Sequence, residues 1–251
     1  MKNDEIKKLI KKKYSKVATS GCGCGSTSSC CSTSPSVKDI SKSIGYTEEE
    51  INSFSEANLG LGCGNPVALS SIKEGDVVLD LGSGAGFDAF LVAKRVGNTG
   101  KVIGLDITDE MIQKAKENAL RYGYKNVEFK LGDIENMPIE ENSIDVIISN
   151  CVINLSPDKG RVFSEAHRVL KNGGKMFLSD IVLLEELTEE QRSDEDLIAG
   201  CVGGALLRDD YITIIQNAGF RVRILGEDKE ISKRQYNGIK LESIKVEATK
   251  I

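Results

Sequence analysis

Seven cysteines stand in a chain of 251 residues that has one histidine and no tryptophan. Thiols act as nucleophiles, redox partners and ligands for soft ions, so their placement limits the available chemistry. Four of them, Cys22, Cys24, Cys30 and Cys31, crowd into residues 18–36, a glycine, serine and threonine stretch with almost nothing to bury. That composition predicts a flexible arm bearing thiols. The Cys-x-Cys and Cys-Cys spacings match a zinc finger poorly and suit a soft, thiophilic ion better; a tail whose cysteines do nothing is the other reading. The remaining three are dispersed. Cys63 lies between two glycines, which predicts an accessible sulfur, and Cys201 sits in Ala199-Gly200-Cys201-Val202-Gly203-Gly204-Ala205. Cys151 follows an apolar run, at the rim where a buried core filler is not expected.

The scaffold that would position such sulfurs begins at residues 77–81, a short apolar run with β-branched residues that reads as a buried strand. Gly82, Gly84 and Gly86 follow, and residues 87–96 take helical spacing. The dinucleotide fingerprint G-x-G-x-x-G fails here, because Phe87 stands where its third glycine belongs. Asp80, just before the turn, would oppose a pyrophosphate. It suits a cofactor with an ammonium group and no phosphate, as S-adenosylmethionine is. The segment resembles the first motif of the class I methyltransferases.

Two further strands support that resemblance. Residues 101–105 run into Asp106, where a doubly wound sheet places an acid for ribose hydroxyls. A helix follows, with Thr108 as its cap, Asp109 and Glu110 in its first turn and Gly123 at its close. Residues 127–131 run into Gly132-Asp133-Ile134; the resemblance implies that the acid contacts the adenine amino group and the isoleucine its ring. Residues 144–149 form a fourth strand ending at Asn150-Cys151, at the switch point where open sheets bind ligands. Beyond it, Ser156 as cap, with Pro157 and Asp158 in the first turn, opens a helix that Asn172-Gly173-Gly174 stops. His167 lies within that helix as a structural or solvent-facing residue. Strands over 175–182, 220–225 and 241–248 and a helix over 209–218 complete an alternating α/β pattern, a doubly wound, mostly parallel sheet of Rossmann-like class.

Composition sets the setting. Hydrophobic residues at 40% and charged residues at 28% describe a soluble globular protein, and a net charge of −5 argues against a general nucleic-acid binder. No apolar run approaches a membrane span, and residues 1–16 have no apolar export core, so a cytoplasmic location is expected. Ile6, Leu9, Ile10, Tyr14 and Val17 recur at helical spacing among seven lysines, predicting an amphipathic helix able to lie over a cleft. Thr47 caps a further helix over 46–57. The division expected is an N-terminal extension over 1–62 and a catalytic domain over 63–251, with an inserted loop at about 185–207.

Taken together, Asp80-Leu81-Gly82-Ser83-Gly84-Ala85-Gly86, Gly104-Leu105-Asp106-Ile107-Thr108, Asn150-Cys151-Val152-Ile153-Asn154-Leu155 and Gly200-Cys201-Val202-Gly203-Gly204-Ala205-Leu206 resemble the arsenite S-adenosylmethionine methyltransferases, over roughly residues 63–220. The last two stretches are the particular ones. The resemblance implies that Cys63, Cys151 and Cys201 bind trivalent arsenic, and that an N-terminal cysteine, with Cys30-Cys31 preferred, forms a disulfide with Cys63 during turnover. It implies a cofactor site of Asp80, Gly82, Ser83, Gly84, Gly86, Asp106, Ile107, Met111, Asp133, Ile134 and Asn150. Arsenite arriving as a thiol conjugate and thioredoxin or glutathione as reductant are the expected partners, with neither nucleic acid nor membrane. A methyltransferase for a small organic acceptor such as a quinone would share the cofactor residues but leave the three cysteines without purpose. A non-catalytic soft-metal binder would leave the acids without purpose.

Overall fold

The computed structural model describes residues 2–20 and 36–251. The chain opens with helix α1 (Asn3–Ser20), then α2 (Val37–Ser43), α3 (Glu48–Ser53) and α4 (Pro66–Leu69). The alternating body follows: β1 (Val77–Leu81), α5 (Phe87–Val96), β2 (Lys101–Asp106), α6 (Asp109–Tyr122), β3 (Val127–Leu131), β4 (Ile144–Asn150), α7 (Lys159–Val169) and β5 (Leu170–Leu183). Two short helices, α8 (Glu189–Ser193) and α9 (Glu195–Ala199), follow, and α10 (Arg208–Asn217), β6 (Phe220–Asp228), α11 (Ile231–Gln235) and β7 (Leu241–Lys250) complete the chain. The seven strands form one sheet in the order β3-β2-β1-β4-β5-β7-β6. Its first five members are parallel, while β7 runs antiparallel between β5 and β6.

Period-two alternation along β1 explains why the sheet needs cover on each face. Val78 belongs to one apolar cluster, which includes Phe90, Val92 and Val96 of α5. Leu79 and Leu81 belong to the other, with Val162 and Phe163 of α7 and Tyr211 and Ile215 of α10. The N-terminal helices join the first cluster through Ile10, Ile51 and Phe54. Phe54 packs on Phe90 at 5.6 Å and on Tyr122 at 5.2 Å between ring centroids. Truncating Phe90 to alanine would forfeit about 3–5 kcal/mol, because this aromatic group closes around it.

Local chemistry shifts several boundaries from those expected. Thr47 does cap α3 with a full capping box, but Phe54 leaves helical backbone at φ −134° and ends the helix short of residue 57. Asp158, and not Ser156, is the N-cap of α7; its carboxylate accepts the Arg161 N–H at 2.9 Å. That helix closes at Val169, three residues before Asn172, because Leu170 turns extended and enters β5. Thr108 caps α6 by position without a side-chain hydrogen bond. Among the described residues no helix is long and apolar enough to cross a membrane.

Candidate active site

The first strand delivers its turn beneath the carboxyl ends of β1, β2 and β4. Gly82 has φ +68°, and a Cβ there would lie 2.4 Å from Val152, so glycine is required by both backbone and space. Gly84, at φ +51°, meets nothing within 4 Å and faces open space, while its N–H donates to Asp106 Oδ2 at 2.9 Å. The other Asp106 oxygen accepts the Thr108 N–H at 2.9 Å. Asp106 thus ties the β1 turn to the β2 turn, and burial raises its pKa above the usual carboxylate value.

Two lobes of one cleft meet at Gly82, Gly84, Leu61 and Asn150. The first is lined by Asp106, Ile107, Asp133 and Ile134, with Lys7, Ile10 and Tyr14 of α1 along it. Lys7 donates to Asp133 at 2.7 Å and also pairs with Glu135, so α1 is fastened over this lobe. The second is lined by Asp80, Ser83, Phe87, Asp88 and the loop from Asn58 to Gly62. Asp80 is buried and its Oδ2 has no hydrogen-bond partner, as is true of Ser83 Oγ. Burial first, then the charges of Asp88 and Asp106, push the Asp80 pKa well up. A carboxylate in that state is relieved by a cation, and an ammonium group fits. Asp88 beside it is raised to about 6 by burial, although it accepts the Tyr46 hydroxyl at 2.6 Å.

Two expected cofactor residues lie off the cleft lining. Met111 is fully buried on α6, and Gly86, at φ +96°, is the N-cap of α5, where a Cβ would strike Phe129 and Phe90 at 2.8 Å. Gly86 serves packing and the turn.

Cys151 lines the first lobe, and the other two cysteines adjoin it. Cys63 and Cys151 form a disulfide, and Cys201 is a free buried thiol whose Sγ donates to the Cys151 carbonyl at 2.6 Å. Cys63 is not accessible as its flanking glycines suggested; it is 2% exposed. A Cβ at Gly62 would lie 2.7 Å from Asn150 Nδ2, and one at Gly64 2.5 Å from Ser179 Oγ. Glycine lets this loop press down onto β4 and β5, which buries the sulfur. Cys151 and Cys201 hold left-handed backbones, φ 59° and φ 67°, strain that non-glycine residues keep only where the surroundings impose it. Burial raises the Cys201 pKa well above the ordinary thiol value. The expected partner of Cys63, an N-terminal cysteine, lies outside the described residues, as do Cys22, Cys24, Cys30 and Cys31.

Asn150 links the sulfurs to the two lobes of the cleft. Its Nδ2 donates to the Tyr46 hydroxyl at 2.9 Å and the Gly64 carbonyl at 2.8 Å. Sequence reasoning missed Tyr46, Lys7 and Asp180. Asp180 is fully buried, and ligand atoms of Cys63, Cys151 and Asp180 all lie within 4.8 Å of one another. It accepts from the Tyr211 hydroxyl at 2.8 Å and from Asn154 Nδ2 at 2.9 Å, and burial raises its pKa to about 7. The available signal was an acid inside the mostly apolar run Phe177-Leu178-Ser179-Asp180-Ile181-Val182. His167 packs edge-on against Phe220 at 5.4 Å, a structural role as expected.

A methyltransferase domain family matches residues 72–219. An arsenite methyltransferase of Halobacterium salinarum is 42% identical over 236 residues, 90% of this chain and 60% of that protein. One of Aquipseudomonas alcaligenes is 38% identical over 82% of this chain and 60% of its own length. This chain therefore spans about 60% of the length of these curated relatives. Among solved structures, an arsenic(III) S-adenosylmethionine methyltransferase from Chlamydomonas reinhardtii superposes with a TM-score of 0.66 and 35% identity, over 88% of this chain and 75% of that one.

Proposed function

We propose, from the premise that this chain belongs to the arsenite S-adenosylmethionine methyltransferase family, that it methylates trivalent arsenic held by Cys63, Cys151 and Cys201. The observation that carries this reading is the place of Cys151. It lines the cofactor cleft and is joined directly to each of the other two, by the disulfide to Cys63 and by the Cys201 hydrogen bond to its carbonyl.

S-adenosylmethionine fits the chain's own residues, since the unpartnered Asp80 carboxylate in the second lobe calls for a cation. Asp80 would hold its ammonium group, Asp106 its ribose, and Asp133 with Ile134 its adenine. Bound there, it supplies a methyl group on a sulfonium centre, which a soft nucleophile with a lone pair can accept. The substrate arsenic has such a pair when three sulfurs bind it in a pyramid. The three thiols position it, and positioning of this kind is worth up to about 7–11 kcal/mol in well-aligned systems. No general base at arsenic is required, because its lone pair carries no proton. The three thiols, Cys63 and Cys151 once reduced together with Cys201, must instead surrender their protons on binding, and ligand exchange gives each proton to a departing thiolate of the thiol conjugate.

Opening the Cys63–Cys151 disulfide needs a thiol reductant before three sulfurs are free. Methylation also raises arsenic by two oxidation levels, so thiols must return it to the trivalent state. Cys22, Cys24, Cys30 and Cys31 suit that exchange, with Cys30 and Cys31 first, and thioredoxin or glutathione in a cytoplasmic setting would be the final source. Changing all four to serine should abolish multiple turnover and spare a single one.

The test is turnover of S-adenosylmethionine with arsenite and a thiol reductant, with separation of the arsenic products. Methylated arsenic from the wild type and little from Cys151→Ser or Cys201→Ser is expected. Tight cofactor binding without methylated arsenic would turn the reading toward a small organic acceptor.

A further inference from the structure

Asp180 lines neither lobe of the cleft and offers oxygen where arsenic prefers sulfur, yet it is fully buried beside the sulfur pair. Burying a carboxylate is costly unless a cation or hydrogen bonds compensate it. Its hydrogen bonds come from neutral donors: Asn154 Nδ2 and the Ile181 N–H on Oδ1, at 2.9 and 3.0 Å, and the Tyr211 hydroxyl on Oδ2, at 2.8 Å. An oxygen that accepts one bond keeps a second acceptor site, so Oδ2 retains a ligand position. The donor set within 4.8 Å is then two sulfurs and one oxygen, all buried.

We propose that the dithiol form of Cys63 and Cys151, together with Asp180, binds a divalent, borderline-soft cation of the zinc or cadmium class, in competition with arsenite. It rests on the proposed acceptor site only for that competition. Mixed thiolate and carboxylate donors suit a tetrahedral divalent ion, whereas trivalent arsenic is satisfied by sulfur alone. Charge agrees as well. Two thiolates and a carboxylate are met by the cation and by Lys159, a buried lysine whose charge acts on Asp180 and Cys201. Tyr211 and Asn154 would orient the ligating carboxylate, as outer partners do at metal sites. Reduction with a phosphine and one water opens the disulfide to two thiols and a phosphine oxide. Binding the cation then releases the two thiol protons to solvent.

The experiment uses the full chain, phosphine-reduced, with Cys22, Cys24, Cys30 and Cys31 changed to serine so that the arm cannot report. Cadmium is titrated by its sulfur charge-transfer absorbance, without S-adenosylmethionine, so methyl transfer plays no part in the readout. One cadmium per chain, displaced by arsenite, is expected. Asp180→Asn should weaken cadmium by at least about 10-fold and leave arsenite uptake unchanged. Equal cadmium affinity in Asp180→Asn, absence of cadmium uptake, or an equal loss of arsenite would overturn the proposal. Should Asp180→Asn not fold, Tyr211→Phe replaces it: weakened cadmium with intact arsenite supports the site, and unchanged cadmium overturns it.

Discussion

The Asn150 side-chain oxygen accepts the backbone N–H of Cys63 at 3.1 Å, so the last residue of β4 holds in place a loop that precedes it by 87 positions. The same amide group donates to Tyr46 and to the Gly64 carbonyl. One side chain thereby sets the thiol loop against the cleft. Asn150→Ala should cost about 1–3 kcal/mol by leaving these buried partners unpaired, read as a lowered denaturant midpoint. Methyl transfer to arsenite should fall further than cofactor affinity, because the sulfur loop loses its anchor.

Asp80 is a buried acid whose Oδ2 has no partner. Asp80→Asn should weaken S-adenosylmethionine binding about 10- to 100-fold, the range for a hydrogen bond to a charged group, measured by calorimetry. The ligand-free chain should be no less stable, since the variant removes an uncompensated buried carboxylate. A wild-type affinity in Asp80→Asn would place the ammonium group elsewhere.

Stability of the ligand-free chain should fall as pH rises from about 4 to 7. Asp88 is raised to about 6 and Asp180 to about 7 from an ordinary 3.8. An acid raised in the folded state contributes stability that is fully present below its unfolded pKa and is lost as pH climbs through the folded one. Glu165, lowered from 4.5 by Arg168, acts with the opposite sign and below that window. Melting curves of the reduced chain should therefore show the decline. Asp180→Asn should flatten its upper part by ~4 kcal/mol at most; a slope unchanged in that variant would refute the assignment.

Gly82→Ala places a Cβ 2.4 Å from Val152 and forces a left-handed backbone. A loss of about 1–3 kcal/mol is expected, with cofactor affinity lost in parallel. Val152→Ala in the same chain should restore part of the stability, and the backbone strain should remain. Full rescue would mean that the clash alone matters.

The scaffold was legible in the sequence because its signals are local. The apolar run of β1, the glycine turn and α5 follow from periodicity and glycine spacing, as do the acids near the end of β1 and at the end of β2. Helix α1 was readable from its apolar stripe, and the arsenic-binding candidates from their cysteine type and glycine flanks. What the sequence alone determined was therefore the elements, the acids at the strand ends and the identity of the thiols. Tertiary structure decided which groups meet. Cys63 and Cys151 are 88 positions apart and bond because the glycines around Cys63 let its loop collapse onto β4 and β5. Asp180 joins them only because β4 and β5 are neighbours in register, Asn150 opposite Ser179. Lys7 reaches Asp133 across 126 positions. Contacts of that range depend on how strands and helices pack, and no local pattern of residue types encodes them.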